Sequence, residues 1–269
     1  MQARAFNPQV FLEFLSHFVF GGLLLHLVRS GKYLSYVTPR MEPYLYFTVI
    51  IMVIWALAGL GRLFRPQHKI RSAHCFVLVI PVLLLLLPHS PLGVSDLSSL
   101  SDTAGNQPPP ADMAATDSID EAIPDTQTNA EEEALTELPG LDAANKKIIV
   151  SNDDFGMWYS ELYMNTENYE GYTIVVTGYV FKDSEILKKD EFMSARLMMS
   201  CCVADLSPAG LLCKYDKASE LEADSWVTVE GTLHIVQYEY NGETYDDPQI
   251  SVKKITPAKE VEGYVYPYF

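Results

Sequence analysis

Three of the chain's four cysteines fall in one stretch, with Cys201 and Cys202 adjacent and Cys213 further along; Asp205 lies between them. Thiolates are soft ligands suited to zinc or cuprous copper. Cys201, Cys202 and Cys213, completed by Asp205 or His234, are therefore a candidate site for zinc or another soft divalent metal. The spacing is not that of a zinc finger, whose paired cysteines stand two to four residues apart. Neighbours in a strand also point to opposite faces, so both adjacent thiols serve one ion only where the chain turns. Ser200 and the run Asp205-Leu206-Ser207-Pro208 supply residues for such a turn. Other readings stay open beside the metal: a disulfide from Cys201 or Cys202 to Cys213 in an oxidising compartment, a thiol buried as a small hydrophobe, and redox catalysis, for which the thioredoxin-like Cys-x-x-Cys is missing.

A second chemistry-bearing pair is Glu13 and His17, four apart and so on one helix face. They sit in an apolar run, where an ionisable residue marks a functional position by default. A polar contact to a neighbouring helix is the competing role. No phosphate-binding loop, dinucleotide fingerprint, nucleophile elbow or His-Glu-x-x-His occurs, and no enzyme is expected.

The elements that would position these residues follow from charge. Residues 1–88 carry eight Lys or Arg and two Glu, residues 89–145 twelve acids and no Lys or Arg, and residues 146–269 twenty-one acids and eleven bases. The basic segment is also the apolar one, which points to a membrane. Three spans are predicted, about 8–28, 44–60 and 72–88, against the roughly 20 residues a transmembrane helix needs. The third is short and holds Pro81, which membrane helices tolerate. Asn7-Pro8 signals the start of the first helix. Arg4, Arg62, Arg65, Lys69 and Arg71 outnumber Arg29, Lys32 and Arg40. Basic loops stay cytoplasmic, so the N-terminus is expected inside and everything after the third span outside.

Residues 89–145, acidic and Pro-containing, lack the apolar content to offset ordering entropy and are expected to be a disordered linker. From 146 to 269 a mainly β domain is predicted. Asp153 or Asp154 caps a helix to about Asn165. Strands follow at about Thr173–Phe181, Phe192–Ser200, Leu211–Tyr215, Trp226–Tyr238 (bulged at Gly231) and Gln249–Ile255, with a helical turn at Ala218–Leu221 and an Asn241-Gly242 turn. That order matches a small five-stranded, OB-like Greek-key barrel with one or two short helices. A domain this acidic lacks the basic footprint of a nucleic-acid binder.

Several motifs resemble a bacterial family of YcgQ-like permease subunits, membrane proteins with an uncharacterised C-terminal domain. They are Cys201-Cys202-Val203-Ala204-Asp205, Pro39-Arg40-Met41 with Tyr44, Ser151-Asn152-Asp153-Asp154-Phe155, Gly178-Tyr179-Val180, Trp226-Val227-Thr228-Val229-Glu230-Gly231 and the aromatic tail to Phe269. The resemblance implies an accessory subunit that docks a polytopic permease through its transmembrane helices in the lipid bilayer of the cell membrane. It would display the barrel as an extracytoplasmic binding domain. The alternatives are a stand-alone membrane-anchored module that binds a metal or small ligand, and a thiol oxidoreductase.

Overall fold

The computed structural model describes residues 7–60, 76–86, 92–94, 96, 138–184, 186–240 and 243–267. The basic loop 62–71, both ends of the third expected span, most of the expected linker, the Asn241-Gly242 turn and Phe269 lie outside the described residues. The chain divides into two compact units, Met1–Pro91 together with Cys201–Ala204, and Leu92–Ser200 together with Asp205–Phe269.

The first unit is helical. Helix α1 spans Pro8–Arg29 and starts where the sequence places it, with the Asn7 side chain accepting from the amides of Gln9 and Val10 and Pro8 in the first turn. Helix α2 spans Glu42–Leu60. Each stretch is long and apolar enough to cross a membrane. They pack side by side, and the approach is close at Gly21, where an added Cβ would stand 3.2 Å from the Cβ of Met52. Small residues permit such approach between membrane helices. Helix α3, Phe76–Leu86, has 11 residues with Pro81 inside and packs on α1. By itself it is shorter than a span, so two helices rather than three meet the length requirement among the described residues. The connection between α1 and α2 is ordered by the Tyr33 hydroxyl donating to Glu42 Oε2 (3.1 Å).

The second unit is mainly β. Its strands are β1 (Leu141–Asp142), β2 (Lys147–Ile149), β3 (Thr173–Phe181), β4 (Glu191–Met198), β5 (Ser207–Lys214), β6 (Trp226–Tyr240) and β7 (Glu243–Pro257), with helix α4 (Phe155–Met164) between β2 and β3. The sheet order is β1-β2-β3-β4-β5-β7-β6, and β6 also pairs with β3. Seven strands thus replace the expected five. The two extra ones are two and three residues long, too short to show an alternating pattern. The remaining five form a ring of successive pairings in which β5 and β7 run parallel and the other pairs antiparallel.

Alternation explains where the core lies. Ile174, Val176 and Val180 of β3 join Phe192, Leu211, Val229 and Ile250 from the other strands, and α4 adds Phe155, Trp158 and Leu162. The Trp158 indole N–H donates to Pro139 O (2.8 Å), so the buried ring leaves no polar atom unmet. Tyr179 points to the other face of β3. It is buried there with Val94, Ala195 and Leu197, so the start of the expected linker belongs to the domain. Gly231 sits at the register shift between β6 and β7. A Cβ there would lie 2.5 Å from both Ile250 Cγ2 and Ser251 O, so the bulge and the glycine require each other.

Candidate metal centre

The connection between β4 and β5 makes the turn that adjacent cysteines need. After Met198 the Met199 amide donates to Val265 O (2.9 Å), and the Ser200 amide is captured by Asp205 Oδ1 (3.0 Å). A carboxylate binding an amide five residues earlier, backed by the 3-10 turn Val203–Asp205, folds the segment on itself. The two thiols are thereby brought to one side, Sγ to Sγ 3.6 Å, where an extended chain would separate them. Ligand atoms of Cys201, Cys202 and Asp205 all lie within 4.8 Å of one another. Cys201 is exposed, and Cys202 and Asp205 are half-buried.

Inside the first unit, Cys201–Ala204 is tied to the α1–α2 connection. Cys202 bridges Val37 antiparallel, the Thr38 amide donates to Cys201 O (3.2 Å), and the Val203 amide donates to Tyr36 O (2.8 Å). Thr38 is 2 % exposed, and its hydroxyl is buried with no hydrogen-bond partner.

The other expected ligands stand elsewhere. Cys213 lies on β5 opposite Phe192, fully buried. Its thiol contacts Leu211 O at 3.4 Å, and burial pushes its pKa up to about 12. It is a core thiol, as one of the three readings had it, and it does not join the cluster. No disulfide joins Cys201 or Cys202 to Cys213. His234 is engaged at 3.1 Å by Glu170, whose second oxygen accepts from the Ile235 amide (2.6 Å). Of the two candidate fourth ligands, Asp205 is the one at the cluster.

Glu13 and His17 share a face of α1 as expected, yet the close contact is to the backbone, His17 Nδ1 to Glu13 O at 2.6 Å. Glu13 Oε1 accepts from the Gln9 side-chain amide (3.2 Å), and the His17 ring meets Trp55 of α2 edge-on at 5.6 Å.

One residue escaped the sequence reading. Arg196 on β4 is 3 % exposed, its guanidinium 5.6 Å from the centre of the Phe155 ring and 5.4 Å from that of Trp226. Its hydrogen bond to Asn152 Oδ1 is long, 3.5 Å. Burial lowers its pKa, against the pull of the nearby Asp153 carboxylate. The available signal was that Asn152, Phe155 and Trp226 belong to two of the quoted motifs. Among the described residues, the two best-formed depressions, beside Leu162 and Leu233 and beside Trp158 and Val176, leave no room for a water molecule, so neither is a ligand pocket, whose volumes begin at about 300 Å³.

Family models match both parts of the chain, the DUF1980 N-terminal domain over residues 12–99 and the DUF1980 C-terminal domain over residues 125–267. The chain belongs to the DUF1980 family. Among curated proteins, the UPF0703 protein YcgQ of Bacillus subtilis (strain 168) is 28% identical over 97 residues, 36% of this chain and 34% of that protein. The YcgQ-like resemblance is thus confirmed, with the matched stretch spanning about a third of that relative's length. A small single-stranded DNA-binding protein from Streptomyces coelicolor aligns over 33% of this chain and 95% of its own, at 16% identity and a TM-score of 0.21. That likeness is too slight to bear on what a DUF1980 chain binds.

Proposed function

We propose that this DUF1980 chain is an accessory subunit of a membrane permease, anchored by its helices and presenting an OB-like barrel on the extracytoplasmic side. The barrel reading is supported by the five-strand ring β3-β4-β5-β7-β6 with its single parallel pair, the strand order of a five-stranded Greek-key barrel. Anchoring is supported by α1 and α2, which leave Phe18, Phe47, Ile50, Ile54 and Trp55 exposed. Such a surface suits lipid or another membrane helix.

The observation that carries the reading is a matter of chain parity. Within the first unit Tyr36 and Thr38 are hydrogen-bonded to the Cys201–Ala204 turn, so the turn and the α1–α2 connection share one side of a bilayer. Between Met41 and Cys201 the chain then crosses an even number of times. In this reading α2 is one crossing and the segment holding α3 is the second. The connection has fewer bases than the 62–71 loop with the N-terminus, which favours the extracytoplasmic side. The test is a photo-crosslinking residue in place of Phe18 or Trp55 in native membranes. A defined adduct with a multi-span protein is expected; repeated purification of the chain alone, with no adduct at either position, would sink the accessory role.

A second reading is favoured by the Cys201–Cys202–Asp205 cluster: the exposed turn binds a metal ion, as a module that acts by itself or beside the permease. Full-length protein purified without chelators is expected to carry metal that is lost when both Cys201 and Cys202 are replaced by Ser.

A further inference from the structure

We infer that the Ser200–Asp205 turn is an open, exchangeable site for a divalent cation of tetrahedral preference, the zinc class, which holds the ion for transfer and is not a structural centre. This deepens the metal-binding reading and rests on it. The first ground is the separation of the thiols. Two sulfurs each about 2.3 Å from a tetrahedral ion stand about 3.8 Å apart, whereas a linear two-thiolate centre at that bond length needs about 4.6 Å. The observed 3.6 Å is near the tetrahedral value and well short of the linear one, and the Asp205 carboxylate lies close enough to be the third ligand.

The second ground is the number and exposure of the ligands. The cluster offers three protein ligands within five residues, and three ligands with an open fourth position distinguish reactive zinc sites from closed structural ones. Cys213, which would have closed the set, is committed to the core. An ion on an exposed cysteine at the tip of a turn can be approached by an incoming ligand. Finally, the domain has a core of its own, built around Trp158, Phe192 and Ile250. Its folding therefore does not depend on the ion, unlike that of small metal-nucleated domains.

The experiment uses the full-length chain in detergent, kept reduced by a non-thiol reductant, with cobalt(II) as spectroscopic probe and zinc as competitor. The expected result is one equivalent of cobalt with thiolate-to-metal charge-transfer absorption and intense tetrahedral d–d bands, displaced by zinc. A chromophoric chelator should then strip the zinc within seconds and leave the thermal unfolding midpoint unchanged. Replacing Cys201 or Cys202 by Ser should weaken binding about 100-fold or more. Asp205→Asn should keep the charge-transfer band and weaken binding about tenfold, and Cys213→Ala should leave the spectrum unchanged. Circular dichroism of each variant separates a lost site from a lost fold. Absence of any cobalt band from the reduced wild-type chain would overturn the metal reading and this inference together. A bound ion that the chelator cannot remove, or whose removal unfolds the domain, would leave the metal reading standing and overturn the exchange inference.

Discussion

Arg196 and Asp247 show how far a residue's surroundings depart from what its type suggests. Arg196 is buried between two aromatic rings, and no carboxylate forms an ion pair with it among the described residues. Its guanidinium plane, more than its charge, should be what the site uses. Arg196→Lys keeps the charge and loses the stacking, so it should destabilise the β domain by about 1 kcal/mol or more. Arg196→Met keeps volume and removes a desolvated charge, so it should cost less than the Lys variant. Urea unfolding of the two variants decides, and the reverse order would make the charge the important part. Asp247 has its pKa raised to about 6 from 3.8 by burial, against the hydrogen bond from Tyr163 that favours its ionised form. The fold prefers the protonated acid. Stability from this group is therefore complete below the unfolded value and is lost as pH rises through about 6. Urea midpoints should fall between pH 4 and 6, and Asp247→Asn should flatten that slope. At this scale the sequence was informative wherever chemistry is local. Asp205 follows the cysteine pair closely enough to form the turn itself, and Cys213 was already open to a core role. The burial of Arg196 depends on Phe155 and Trp226, distant in sequence, and no local pattern announces it.

At the scale of elements, legibility followed apolar alternation. β3 lies where its period-two run placed it, Thr173–Phe181, and β6 begins at Trp226 as read. β7 starts at Glu243, six residues before the expected Gln249, because its first half is polar, Thr244 to Asp247. That half is held by its ladder with β6, Tyr240 opposite Glu243 through Val236 opposite Asp247, not by apolar content. β5 likewise begins at Ser207-Pro208, residues that read as a turn, with Pro208 opposite Leu197 in the ladder. A proline is tolerated so near a strand's start. The Gly231 bulge was legible because a glycine inside a strand pattern has few other uses. Gly231→Ala should cost about 1–3 kcal/mol by overpacking against Ile250 and Ser251, measured as a shift in urea midpoint. An unchanged midpoint would mean that the bulge can relax. Helix α3 was the least legible element. The apolar run was evident, but its reach depends on flanking residues that hydropathy alone does not bound.

For the whole molecule, the proposed topology makes every functional assignment depend on one shared side. The α1–α2 connection and the Cys201–Ala204 turn are hydrogen-bonded within one unit, so a bilayer cannot lie between them. In the proposed topology, residues 62–71 follow α2 in the chain and are expected on the opposite side. In a background with Cys201 and Cys202 replaced by Ser, cysteines introduced singly as Ser35→Cys and Gln67→Cys should therefore behave differently towards a membrane-impermeant maleimide. In intact cells Ser35→Cys should label and Gln67→Cys should label only after permeabilisation. In the unsubstituted chain the exposed Cys201 should label in intact cells, as Ser35→Cys does in its own background, while the buried Cys213 should not. An added protease should cut intact cells' protein between residues 97 and 137, outside the sheet and its buried clusters, giving a fragment that contains Cys201, Cys202 and Cys213. Each readout has a distinct failure. Labelling of Gln67→Cys but not Ser35→Cys in intact cells would invert the orientation while keeping the parity. Labelling of Ser35→Cys without Cys201, in protein shown to carry reduced thiols and no metal, would break the parity itself. The segment around α3 would then not cross, and the extracytoplasmic barrel would go with it.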